Sequence, residues 1–102
     1  MALDRRWHAR YDAVYDRAAL IALDAVRRPA YVDQVSRLAR PGAVQLLIAL
    51  HYPHGWRRGP PFSVDPEQID GLYRSAWSLK LLGRHPENDS PLTETAHHLI
   101  RR

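Results

Sequence analysis

Ala43 to Tyr52, reading Ala-Val-Gln-Leu-Leu-Ile-Ala-Leu-His-Tyr, is the most apolar run in the sequence and limits the fold more than any other stretch. Its period alone allows a helix or a strand. The Pro41-Gly42 boundary before it, its near-continuous apolar character and a helical stripe just upstream favour a strand buried on both faces. That stripe is Tyr31, Val32, Val35, Leu38 and Ala39. Pro29 suits the first turn of such a helix, where its missing N–H costs nothing, and Pro41-Gly42 suits its stop. Arg27, Arg28, Arg37 and Arg40 are expected on its solvated face.

Further upstream, Tyr11, Ala13 and Tyr15 alternate with Asp12, Val14 and Asp16, the pattern of a short strand. A charged corner, Asp16-Arg17, follows, and Ala18 to Leu23 suit a helical turn. Strand, crossover helix and strand make a right-handed βαβ unit, so the two strands should run parallel. Open α/β sheets bind ligands at the carboxyl ends of their strands, which makes Asp16 and Arg17 the first candidates for a site. The alternative, that they cap a helix start and meet solvent as a bare salt bridge, stays open. Residues 1 to 10, polar and basic apart from Trp7, read as a lead-in segment to one domain at 11–102.

Residues 53 to 64 carry two glycines and three prolines and read as a loop, with Trp56 and Phe62 to bury. Asp65 is a good N-cap, Pro66 sits at the first helical position, and Gln68 completes a capping-box pattern. Ile69, Leu72, Tyr73, Ala76 and Trp77 carry the apolar stripe of that helix. Trp77, Leu79 and Leu81 then alternate with Ser78, Lys80 and Leu82 as a strand. Gly83 to Pro91 reads as a polar turn, and Thr95 to Ile100 as a last short strand. Two strands joined by a short connection are most simply an antiparallel hairpin.

With 102 residues the chain has room for one small domain. Its balance of 15 Lys+Arg against 11 Asp+Glu, a net +4, permits an anionic partner without demanding one. The absence of cysteine excludes disulfides and thiolate metal sites. His51 and His54 lack a helical His-x-x-x-His pairing, so no metal site is expected. No apolar run reaches the ~18 residues of a membrane span, and no signal-length segment opens the sequence. A soluble, cytoplasmic protein without a membrane partner is expected. His54, Trp56, Arg57, Arg58 and Phe62 could stack on and grip nucleic acid. Lid loops are aromatic and basic too, so a nucleic-acid partner is not expected.

Three blocks carry a family resemblance. They are Tyr15-Asp16-Arg17-Ala18-Ala19-Leu20-Ile21-Ala22-Leu23, Leu46-Leu47-Ile48-Ala49-Leu50-His51-Tyr52 and Gly59-Pro60-Pro61-Phe62-Ser63-Val64, the last being the most specific. From about Tyr11 to Lys80 the chain resembles the C-terminal half of the thiopurine S-methyltransferase family, class I methyltransferases that use S-adenosyl-L-methionine. The resemblance implies an α/β fold, the C-terminal half of a Rossmann-like sheet: two parallel strands with crossover helices, then a terminal antiparallel strand pair. It also implies methyl transfer to a soft nucleophile, a small-molecule thiol or a chalcogen acceptor. On this resemblance Asp16 and Arg17 face the cofactor, and Arg17, Pro60, Pro61 and Phe62 contact the substrate. No residue is implied as an acid–base catalyst, because in-line displacement on a sulfonium methyl depends on alignment and exclusion of water.

The chain also departs from the family pattern. Pro53 stands where the family usually places an aspartate, and no second substrate arginine is found in Pro86-Glu87-Asn88-Asp89-Ser90. No Gly-x-Gly occurs and the first glycine is Gly42, so the cofactor-gripping half of the family's fold has no counterpart. The expectation is a methyltransferase fragment that is inactive and does not bind S-adenosyl-L-methionine on its own. The alternative is a non-catalytic remnant or interaction module that keeps half the fold. Either way, the strand edge at 11–15 lacks a neighbour and is expected to drive self-association or to meet a partner chain.

Overall fold

The structure, a computed structural model, describes residues 8–102. The first seven residues of the expected lead-in segment lie outside the described residues. Its last two are tied down: Ala9 N–H donates to the Arg37 carbonyl at 2.8 Å and Arg10 N–H to the Leu38 carbonyl at 3.1 Å.

Strand β1 (Tyr11–Asp16) leads through a 3-10 turn (Leu20–Ala22) to helix α1 (Arg28–Leu38). Strand β2 (Ala39–His51), helix α2 (Pro66–Tyr73), strand β3 (Trp77–Pro86) and strand β4 (Thr93–Arg101) follow. They form one sheet in the order β1-β2-β4-β3. As expected, β1 and β2 are parallel, with Val14 opposite Gln45 and Asp16 opposite Leu47. The two last strands are antiparallel, and β4 turns back into the sheet between β2 and β3.

Helix α2 begins as its sequence dictates. Asp65 Oδ1 accepts from Gln68 N–H at 2.8 Å, and Gln68 Oε1 accepts from Asp65 N–H at 2.9 Å, so two otherwise orphaned donors are satisfied reciprocally. Helix α1 corrects two expectations. It stops at Leu38 rather than at Pro41-Gly42, because the chain turns extended at Ala39, where ψ is 129°. Pro41 and Gly42 instead lie inside β2, where pairing with β1 jumps from Ala39 to Val44. Proline cannot donate to a ladder and Gly42 takes φ +87°, so an irregular step ahead of the first β4 partner at Val44 is where that pair fits. The second correction is Arg28, expected on the solvated face but only 5% exposed. It lies four residues before Val32 and seven before Val35, on the same helical face.

The expected polar turn at Gly83 to Pro91 is shorter than predicted. β3 continues through Gly83 to Pro86, and the remaining turn closes through Glu87 N–H on the Leu92 carbonyl at 2.9 Å. The ladder with β4, broken only by a shift between Leu81 and Gly83, holds this polar stretch extended despite its composition. β4 likewise spans Thr93–Arg101, longer than the expected Thr95 to Ile100.

The core sits on one face of the sheet. Leu20, Val32, Val35, Ala43, Leu47, Ala49, Ile69, Tyr73, Trp77 and Leu99 form a single buried cluster. Trp77 is anchored there by its indole N–H, which donates to Ser36 Oγ at 2.8 Å. The expectation that Ala43 to Tyr52 is buried on both faces is therefore corrected. Alternate residues of β2 are buried, but Val44 between them is 40% exposed, because the sequence around β2 supplies helices to one side only.

Candidate functional site

Because β1 and β2 run parallel, their carboxyl ends lie at the same margin of the sheet. The corner after β1 is built on Asp16, which is only 3% exposed. Its Oδ1 accepts from Ala19 N–H at 2.9 Å and from Leu20 N–H at 3.4 Å, which starts the 3-10 turn. Its Oδ2 accepts from the Tyr31 hydroxyl of α1 at 2.7 Å. Burial, reinforced by the hydrogen bond and charge of Asp16, pushes the Tyr31 phenol far above its ordinary pKa, so it stays a donor. Asp16 is thus engaged from three directions by its own chain. Arg17 follows it, exposed and without an ion pair or side-chain hydrogen bond among the described residues.

A second polar group lies deeper under this corner. Burial, with the nearby charge of Asp16, raises the Tyr73 phenol as well. The Gln45 amide is close enough to oppose that rise, yet neither it nor the Tyr73 hydroxyl closes a hydrogen bond of good geometry.

The loop after β2 is tied at its far end. Phe62 N–H donates to the Ile21 carbonyl at 2.7 Å, which joins the Gly59–Phe62 stretch to the turn that Asp16 opens. Val64 N–H donates to the Leu50 carbonyl at 2.8 Å, and the Tyr52 hydroxyl to the Pro61 carbonyl at 3.0 Å. Ser63 Oγ accepts from Tyr52 N–H at 2.9 Å and donates to the Tyr52 carbonyl at 3.2 Å. Gly59 has φ +82°, and a side chain there would collide with the Phe62 ring, so glycine is required. The Arg17 corner and the Pro60-Pro61-Phe62 loop are thereby linked through one backbone hydrogen bond.

Sequence reasoning missed three residues that build this margin: Tyr31, Ser63 and Arg28. Tyr31 reads as a member of an apolar stripe, and nothing in its spacing announces a hydroxyl aimed at Asp16. Arg28 donates through Nε to the Leu23 carbonyl at 3.1 Å, and burial lowers its pKa, opposed by Asp24 and Tyr52. It lines a cleft of about 550 Å³ with Asp24, Tyr52, Arg57, Arg58 and Phe62 among the other walls. Trp56 does not line that cleft but packs its ring on Tyr52, with centroids 5.3 Å apart. Among the described residues no cluster of three His, Asp or Glu side chains could hold a metal ion. Among them, too, no helix is long and apolar enough to cross a membrane.

For a sulfonium cofactor these residues form an incomplete seat. Asp16 is already occupied, and a guanidinium at Arg17 repels a sulfonium charge rather than holding it.

A thiopurine S-methyltransferase (TPMT) from Psychrobacter cryohalolentis is 48% identical to the chain over 77 residues, covering 76% of this chain and 35% of that protein. One from Legionella pneumophila is 46% identical over 71 residues, covering 70% and 32%. The chain thus spans about a third of the length of these curated relatives. Burkholderia thailandensis 1,6-didemethyltoxoflavin-N1-methyltransferase, solved with 1,6-didemethyltoxoflavin and S-adenosylhomocysteine bound, superposes with a TM-score of 0.70. Its sequence identity is 16%, and the match covers 92% of this chain and 45% of that one, so this likeness speaks for the fold. The sheet is therefore part of a Rossmann-like class I methyltransferase fold. The model of the thiopurine S-methyltransferase (TPMT) family matches residues 1–99, and with the relatives it establishes that the chain belongs to that family.

Proposed function

We propose that the chain forms the acceptor side of an S-adenosyl-L-methionine-dependent methyltransferase whose substrate is a small-molecule thiol or chalcogen nucleophile. The observation that carries this reading is the hydrogen bond from Phe62 N–H to the Ile21 carbonyl at 2.7 Å. It ties the proline loop to the corner bearing Arg17, at the sheet margin where α/β folds bind ligands. The Burkholderia neighbour holds S-adenosylhomocysteine, which supports the donor class. Arg17, permanently charged, favours the thiolate form of an acceptor beside it. Asp16 acts through the corner by fixing where Arg17 projects, and Pro60, Pro61 and Phe62 supply a stiff apolar wall that excludes water.

The test is a chimera in which the N-terminal part of the Psychrobacter relative precedes Tyr11. Arg17→Ala should lower its thiol methylation at least about tenfold, since one charge-assisted contact in a closed site is worth a few kcal/mol. Activity within about twofold of the parent would remove Arg17 from the site.

The bare side of the sheet favours a second element of this reading. Among the described residues β1 is an edge strand, and the part of the fold that its relatives carry beyond the matched third would cover it and the exposed face, whether supplied by a longer chain or by a partner. Without that cover the chain is expected to self-associate and to show no measurable binding of S-adenosyl-L-methionine. Sedimentation and calorimetric titration check both; a monomer that binds the cofactor at micromolar affinity sinks this element.

A further inference from the structure

The cleft of about 550 Å³ falls inside the ~300–1,000 Å³ range of small-molecule sites and is not lined by Arg17, Pro60 or Pro61. Phe62 is the one residue it shares with the acceptor wall. Its lining is unusual in chemistry. Arg28 is only 5% exposed, and its sole hydrogen bond runs from Nε to the Leu23 carbonyl. The two terminal guanidinium nitrogens have no hydrogen-bond partner among the described residues and are not sealed from solvent, with the charge of Asp24 nearby, so they are available to a ligand in the cleft. Arg57 and Arg58 line the same cleft, exposed and without an ion pair among the described residues.

Three guanidinium groups around one cleft, one on a largely buried side chain whose terminal donors have no hydrogen-bond partner among the described residues, suit a phosphate. Two carboxylates also line the cleft, which argues against a long polyanion. Asp65 already accepts the Gln68 amide and Asp24 the Arg27 amide, yet each keeps lone pairs that can accept from a hydroxyl. The rings of Tyr52, His54 and Phe62 also line it, and Trp56 packs on Tyr52 without lining the cleft. Phosphate, sugar hydroxyls and a flat ring would each meet their complement.

We propose that this cleft binds a nucleoside monophosphate, with the phosphate on Arg28, Arg57 and Arg58. The site uses only groups shown here, and it stands whether or not the chain transfers methyl groups.

The test titrates the isotope-labelled chain with adenosine 5′-monophosphate, inorganic phosphate, adenosine and a single-stranded oligonucleotide. The Arg28 Nε–H signal and Trp56 fluorescence report binding. Adenosine 5′-monophosphate should move the Arg28 signal and bind at least about tenfold more tightly than phosphate or adenosine alone. Arg57→Ser combined with Arg58→Ser, both exposed and safe for folding, should weaken it about tenfold or more. Arg28→Gln should abolish it, with circular dichroism checking the fold; if that variant unfolds, the double variant still decides. Equal affinity for phosphate and the nucleotide overturns the proposal. So does an unmoved Arg28 signal, an indifferent double variant, or affinity that climbs with oligonucleotide length, which would mark a nucleic-acid groove.

Discussion

The two faces of this sheet are built from the same strands and meet opposite fates. On one face Leu47 and Leu99 are fully buried under α1 and α2. On the other, Val44 and Ile100 of the same strands, opposite one another across β2 and β4, are 40% and 43% exposed. Tyr15, on β1 beside Leu46, is 62% exposed. The near-continuous apolar run of β2 is the sequence of a strand covered twice, whereas a strand with one wet face alternates apolar and polar residues. The composition of the bare face thus matches a longer fold, in line with relatives about three times the matched length. One face carries the core of this chain, and the other leaves apolar side chains in solvent.

The largest test of that contrast is a pair of truncations one register apart in kind. Leu47→Ala should cost about 2–5 kcal/mol, as filled interior sites do. Val44→Ala should stay within about 0.5 kcal/mol, the usual range at a surface. Urea midpoints of both variants check this. Equal losses would mean that the second face is covered in solution.

A smaller effect separates two tyrosines. Tyr31→Phe removes the donor to Asp16 and leaves a buried carboxylate oxygen short of a partner, at a cost of about 1.5–3 kcal/mol. Tyr15→Phe on the bare face should be neutral within about 0.5 kcal/mol. If both are neutral, the hydrogen bond at 2.7 Å does not hold the corner.

Where the sequence was legible, local chemistry and tertiary demand agreed. The Asp65/Gln68 capping box announces its helix because both partners lie within one turn. The parallel pair follows from strand, helix and strand in succession. Legibility failed where a neighbour distant in sequence decides. Pro41-Gly42 looks like a helix stop until β1 is seen to require an irregular step beside it. The polar residues after Gly83 look like a turn until β4 pairs with them. At the candidate site, Asp16 and Arg17 were legible as a polar pair ending a strand. Their different fates were not, because Tyr31 lies 15 residues away and hides in an apolar stripe. Arg28 is the opposite case: its helical phase placed it with Val32 and Val35, and its charge concealed that.

The smallest expected effect reads the covered face by pH. His97 sits on it, opposite Leu47 and Leu81, with Nε2 2.8 Å from Thr95 Oγ1. Burial, and secondarily the charge of Arg84, lowers its pKa below the ordinary 6.5, so the folded chain holds the ring neutral. In the unfolded chain the ring titrates at its ordinary value. As pH falls through that value the unfolded state takes up a proton that the native state refuses, and stability drops. The contribution is therefore fully present above 6.5 and is lost as pH falls below it toward the depressed native value. Stability measured at pH 8 and pH 5.5 should decline toward acid, and His97→Asn should flatten part of that decline. An unchanged slope in the variant would mean that His97 is hydrated in solution, and that the covered face is more open at the Leu47–His97 pair than its packing indicates.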